Sequence, residues 1–170
     1  MRLCRTLSQA GVALAALALA GCTGPWQPAR QARAVAPDTV IRSANRLCHG
    51  MHRQLTRAAL QPGYPDFVSS QPSRADLTSG GEALARYELP ILLKGLAKLD
   101  ALGEPATHRT AWDRFRHAFH TWLAAFRRQI HAMRAGNVPA FQRAEQPLGE
   151  LSRALERYAG AAGAYQCAGL

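Results

Sequence analysis

The sequence predicts an all-α domain, a four-helix bundle with up-down-up-down topology favoured, carried behind an export segment and a flexible tether. Three observations predict it. From residue 39 onward, apolar side chains recur three and four apart, the period of one helix face. No stretch of useful length alternates apolar and polar residues as a half-buried strand does. Glycine, asparagine and proline divide the remainder into four long segments with mostly short connections, the layout of a helical bundle.

Helix one is expected from Thr39 to Leu60, with Asp38 as its capping residue and Val40, Ala44, Leu47, Cys48, Met51, Leu55 and Ala58 as its apolar set. A loop of about 17 residues follows, marked by Pro62, Gly63, Pro65 and Pro72. Helix two is expected from Gly81 to Leu102, carrying Leu84, Tyr87, Ile91, Leu92, Leu96 and Leu99, with Pro90 kinking it or marking its true start. Helix three, from Pro105 to Ala135, has the cleanest stripe: Trp112, Phe115, Phe119, Trp122, Phe126, Ile130 and Met133. Gly136 and Asn137 stop it. Helix four begins with Pro139 near its first position and carries Phe141, Ala144, Leu148, Leu151, Leu155, Tyr158, Ala162 and Tyr165. Pro147 is expected to bend it. The long first loop is able to accommodate a crossover, so the topology is favoured rather than dictated. In an up-down-up-down bundle the end of helix four returns to the start of helix one, which brings Cys167 within reach of Cys48.

The first 22 residues have a different character. Arg2 and Arg5 precede an apolar run from Gly11 to Ala20. A bilayer span needs about 20 residues, so this shorter run reads as the core of a signal peptide. Small residues and one cysteine close it, as Leu19-Ala20-Gly21-Cys22. This tetrad resembles the lipobox of bacterial lipoproteins. The resemblance implies removal of residues 1–21 and a diacylglycerol thioether on Cys22, with palmitate-class acyl chains holding the protein at a membrane. It makes residues 22–37 a lipidated start and tether, and 38–170 the bundle domain. The expected location is exported and lipid-anchored at the cell membrane. Thr23 stands where an aspartate would retain a lipoprotein at the inner membrane of some Gram-negative bacteria, which in such a host is mildly in favour of onward transport to the outer membrane. An ordinary signal peptide with a chance cysteine is the other reading.

The 170-residue chain carries 21 basic and 11 acidic residues, a formal net charge of +10. Without residues 1–21 it loses Arg2 and Arg5, leaving 19 − 11 = +8. Of the four cysteines, Cys4 falls in the removed segment and Cys22 takes the lipid. Cys48 and Cys167 remain, and an oxidising compartment favours a disulfide between them over two unrelated buried thiols.

The charge is unevenly placed. Arg42, Arg46, His49, Arg53 and Arg57 step by four, three, four and four along helix one, facing away from its apolar set with no acid among them. Helix three carries Arg109, Arg114, Arg116, Arg127, Arg128 and Arg134 against Asp113 alone, whereas helix four balances to zero. Unpaired arginines attract phosphates, anionic headgroups and acidic proteins. This makes Arg42, Arg46, Arg53 and Arg57 the candidate anion-binding residues; a merely solvated face is the alternative. Helices one and three are diagonal in the favoured topology, so the charge is expected on two faces. Nucleic acid is not an expected partner for an exported, tethered protein.

The histidine pairs His49/His52 and His117/His120 are spaced i, i+3, but the helical wheel turns His49 and His117 away from the core and puts His120 and His131 well off the apolar stripe. Bundle metal sites need inward ligands, so no metal site is expected, and no cofactor. There is no Cys-x-x-Cys-His, no glycine-rich phosphate loop and no nucleophile elbow. Glu88 beside Pro90 is the one polar candidate for an inward position. Ala44-Asn45-Arg46-Leu47-Cys48, the Leu89-to-Leu92 Leu-Pro-Ile-Leu and a cysteine near the C-terminus resemble secreted helical proteins of high-GC actinobacteria that have no known activity. The expectation is a non-catalytic, lipid-anchored envelope protein that binds or scaffolds, with an anionic surface or an acidic envelope protein as partner. A small-ligand carrier or an enzyme with a pocket between the helices is the alternative.

Overall fold

A computed structural model of the chain describes residues 38–61, 64 and 72–170. The export segment, Cys22 and the tether lie outside the described residues. The first helix, α1 (Thr39–Ala59), starts where Asp38 accepts the Val40 N–H at 2.9 Å. The same side chain accepts the backbone N–H groups of Ala106 and Thr107, fastening this end of α1 to a distant loop. Desolvation raises the Asp38 carboxyl, but these N–H bonds outweigh it and hold it below the usual carboxylate range.

The second arm starts earlier than its apolar pattern suggests. Helix α2 (Arg74–Ala83) is set by a reciprocal capping box, in which Ser73 accepts from the Asp76 N–H and Asp76 accepts from the Ser73 N–H. The Ser73-x-x-Asp76 spacing carries that signal, and the expected start at Gly81 overlooks it. A π-helical turn (Leu84–Glu88) links α2 to α3 (Leu89–Asp100). The cause is Pro90, which has no N–H and whose ring would strike the carbonyl four residues back in a regular helix. The chain widens by one residue, so that the Leu89 N–H bonds the Leu84 carbonyl.

Helix α4 (Arg109–Arg134) begins four residues later than expected from Pro105, after His108 takes a left-handed backbone with φ 59°. It ends in a Schellman turn on Gly136, whose φ is also 59°. Gly136 N–H bonds Met133 O at 2.8 Å and Asn137 N–H bonds Ala132 O at 3.0 Å. Asn137 then caps α5 (Val138–Glu145) by accepting the Ala140 N–H. Pro147 divides the fourth arm rather than bending it, because α5 stops at Glu145 and α6 runs Leu148–Ala161.

The four arms, α1, α2–α3, α4 and α5–α6, form an up-down-up-down bundle with no strand among the described residues. Met51 of α1 lies against Gly95 of α3, and Tyr64 beyond α1 meets Glu88 before α3. Asp100 at the end of α3 pairs with Arg116 near the start of α4, while Gly81 of α2 lies against Met133 and Arg134 at its end. Helix α4 packs against α2, α3, α5 and α6, whereas α1 packs against α3 and the terminal turn, so α1 and α4 stand diagonally.

The stripe Trp112, Phe115, Phe119, Trp122, Phe126, Ile130 and Met133 is buried in full. Its aromatic rings follow one another at 5.2–6.3 Å between centroids. Trp112 Nε1–H donates to Gly103 O and Trp122 Nε1–H to Ser152 Oγ, both at 3.0 Å, so the two indoles bring no unpaired donor into the core. Ala118, Leu123, Ala125 and Ala132 are buried too, because α4 is covered from two sides.

Tyr165 departs from the expected pattern and is 70% exposed. The helical spacing ends before it: Gly163, at φ 78°, closes α6 and the chain turns into a short 3-10 segment, Tyr165–Cys167. That segment returns to α1. Cys167 is bonded to Cys48, with Cα atoms 5.0 Å apart. Asn45 brackets the same junction, donating to Gly163 O at 3.0 Å and accepting the Gln166 N–H at 2.8 Å.

Candidate functional site

Arg42, Arg46, Arg53 and Arg57 are all exposed on the face of α1 opposite Ala44, Cys48 and Met51. Their only neighbourly side-chain bond among the described residues is local, from Arg46 to Ser43 Oγ. The ion pairs of the described residues are elsewhere: Arg116 and His120 with Asp100, and Arg134 with Glu82. Among the described residues the α1 stripe is therefore uncompensated. From Arg42 to Arg57 it covers about 22 Å of helix, nearly three Debye lengths at about 8 Å in physiological salt. Charges so spread do not converge on one small anion; they suit an extended anionic surface.

His49, His117, His120 and His131 are exposed, as their wheel positions predict, and His52 is half-buried. His120 differs in one respect from its sequence reading. Helix three supplies no acid for it, but Asp100 of α3 does, at 3.0 Å. That pairing needs the antiparallel approach of α3 and α4. Among the described residues no group of three or more His, Cys, Asp or Glu side chains is placed to hold a metal ion.

Glu88 is half-buried at the π-helical turn and accepts a 2.5 Å hydrogen bond from the Tyr64 hydroxyl. Desolvation pushes its carboxyl up, partly opposed by that bond. The Tyr64 hydroxyl is raised by its own burial and by the adjoining carboxylate. No other titratable partner is aimed at this pair among the described residues, and it closes a helix junction rather than opening a cavity.

A second cationic feature has no counterpart in the sequence reading. An open groove of about 740 Å³ lies between the C-terminal half of α4 and α5. Its rim is Arg127, Arg128 and His131 from α4 and Arg143 from α5, all exposed. Between them it is lined by alanines, of which Ala132 is buried, and by Asn137, and no acid among the described residues lines it. The small floor residues leave a concave surface where larger ones would have filled the space. Arg127 and Arg128 are visible in sequence as surplus charge on helix three. Arg143 is not, because helix four is neutral overall; only the tight α4–α5 reversal brings it to the same groove.

By fold and surface, then, the described residues form an all-α, disulfide-linked four-helix bundle with cation on two faces. Comparison with protein-family models, with the curated proteins and with the solved structures finds no match to the chain.

Proposed function

We propose that this chain is a lipid-anchored, non-catalytic cell-envelope protein whose helical domain binds or scaffolds an anionic component of the envelope. The observation that carries the reading is Leu19-Ala20-Gly21-Cys22 directly behind a short apolar run and the cations Arg2 and Arg5. Cysteine at that place supplies the thiolate that takes a diacylglycerol, and two or more acyl chains give stable anchoring where one does not. Two features of the domain support the rest. Its described core is apolar throughout, with no polar or charged side chain buried, which suits a body that presents its surface. The Arg42, Arg46, Arg53 and Arg57 stripe is exposed and meets no acid among the described residues, and an anchored domain meets anionic headgroups or acidic envelope proteins at short range. No helix among the described residues is long and apolar enough to cross a membrane.

The test is metabolic labelling with a clickable palmitate analogue in a bacterial host. The full chain is expected to incorporate the label and fractionate with membranes, and Cys22→Ser to do neither. Wild-type protein that stays unlabelled and soluble overturns the anchoring.

A further inference from the structure

We propose that the groove between α4 and α5 is a binding site for a phosphate monoester carrying a small apolar body, with Arg127, Arg128 and Arg143 holding the phosphate and the alanine floor receiving the body. The site is separate from the α1 stripe and does not depend on acylation of Cys22. It lies at the end of α4 remote from Asp38, on the far side of the bundle from α1.

The first ground is a contrast within one helix. Exposed Arg134 finds Glu82 at 2.8 Å, and half-exposed Arg116 finds Asp100 at 3.2 Å. Arg127 and Arg128, on the same helix, form no ion pair among the described residues, and the approach of α5 adds Arg143 instead of an acid. Like charges gathered on one concavity repel, and a bound anion removes that repulsion. The second ground is shape. The α1 stripe runs along a convex helix, whereas these cations surround a hollow large enough for a small organic molecule.

The third ground is rigidity. The turn that sets α5 against α4 is fixed by the Gly136 and Asn137 N–H bonds and by the Asn137 cap. A Cβ on Gly136 would come 2.5 Å from Arg74 Cγ, so the turn is also wedged against α2. The rim arginines are thus presented from a preset frame, and binding orders only their side chains.

The chemistry favours phosphate. Guanidinium groups bind phosphate oxygens through paired N–H donors, and three of them match the two charges of a monoester better than one carboxylate. His131 adds a ring nitrogen at the rim. The alanine methyls offer no hydrogen bonds and the Asn137 side-chain oxygen already accepts the Ala140 N–H, so the part of the ligand facing the alanines is apolar. Such a monoester comes from two sources, a soluble organic phosphate or the headgroup of phosphatidic acid.

The experiment uses the full chain carrying Cys22→Ser, so that no lipid anchor interferes. Phenyl phosphate is titrated calorimetrically, and sedimentation is measured with phosphatidylcholine vesicles carrying either phosphatidic acid or an equal charge of phosphatidylglycerol. Each arm is repeated with Arg127→Gln/Arg143→Gln and with Arg53→Gln/Arg57→Gln on α1. All four residues are exposed, and far-UV circular dichroism verifies that the variants fold. The expected result is saturable one-to-one binding of phenyl phosphate that the groove variant weakens by at least about tenfold, from loss of two charge-assisted contacts, and the α1 variant leaves unchanged. Binding confined to vesicles, with an excess for phosphatidic acid over phosphatidylglycerol that the groove variant removes and the α1 variant keeps, assigns the ligand to the lipid source and also supports the site. Absence of saturable phenyl phosphate binding together with equal sedimentation on the two vesicle types, or equal weakening of phenyl phosphate binding by both variants, overturns it.

Discussion

Replacing Cys48 and Cys167 together with alanine removes a cross-link between residues 119 apart in sequence. In the chain-entropy treatment a closed loop of this length restricts the unfolded chain by about 5 kcal/mol at 25 °C. Two effects, one in the folded and one in the unfolded state, set the direction of the correction. Asn45 still clasps Gly163 and Gln166 in the variant, so the folded terminal turn keeps its seat on α1. Residual compactness of the unfolded chain lowers the entropic gain from the cross-link, giving an expected loss of about 3–5 kcal/mol. This is a large share of the roughly 5–15 kcal/mol typical of a domain. With a urea m-value of about 2 kcal/mol/M, the midpoint falls by about 1.5–2.5 M. Equilibrium urea unfolding followed by circular dichroism measures it, alongside a non-reducing peptide map that detects the Cys48 peptide joined to the Cys167 peptide. Coincident midpoints for wild type and variant, or a map lacking the joined peptide, would refute the reasoning. Helical content below the transition is expected to be unchanged, since both cysteines sit at a junction and not within the aromatic stripe.

Three further outcomes follow from particular contacts. A Cβ on Gly81 would lie 2.7 Å from the Arg134 backbone nitrogen and 2.8 Å from Met133 Cβ, whereas one on Gly50 meets nothing within 4 Å. Gly81→Ala is therefore expected to cost about 1–3 kcal/mol by overpacking despite better helix propensity, and Gly50→Ala to gain about 0.5–1 kcal/mol; thermal denaturation giving the same sign for both refutes this account. Burial raises the Glu88 carboxyl, so its protonated form is the better folded one: its contribution is full below the unfolded pKa and lost as pH rises through the folded pKa. Glu88→Gln should then exceed wild type in stability at neutral pH, with the gap closing on acidification through the carboxylate range; a gap that widens instead speaks against it. Arg42, Arg46, Arg53 and Arg57 changed together to glutamine are expected to weaken binding to phosphatidylglycerol vesicles by as much as about a thousandfold, at about 1 kcal/mol per arginine near the surface. Unchanged vesicle binding at low salt removes α1 from the interaction.

Helix existence and core faces were legible wherever a long apolar stripe met a clear stop. The α4 stripe and the Gly136–Asn137 stop are cases, because each rests on interactions within a few residues. Boundaries were less legible. The α2 start was written in Ser73 and Asp76, yet residues 74–80 have little apolar periodicity, so the capping box was the only signal. Pro90 announced a disturbance but not its form, since a missing N–H and a ring clash are met equally by a kink, a helix start or the π-helical turn observed. Tyr165 kept helical spacing past the end of α6, and only the Gly163 turn and the pull of the terminal segment toward α1 exposed it.

The candidate site divides along the same line. The α1 arginine stripe is a property of one helix, and the period of that helix places every member on one face before any packing is known. The Leu19-Ala20-Gly21-Cys22 tetrad is likewise a feature of contiguous residues. The α4–α5 groove, the Asp100–His120 pair and the Asn45 clasp each join residues from different elements. Their existence depends on the antiparallel approach of those elements and on the angle at which a turn returns the chain. Sequence by itself determined the helical class, the apolar faces and the α1 charge stripe, because local geometry decides them. Tertiary structure decided which cations converge, which find acids and which surround a hollow, because those outcomes depend on distances between segments that no single-helix period contains.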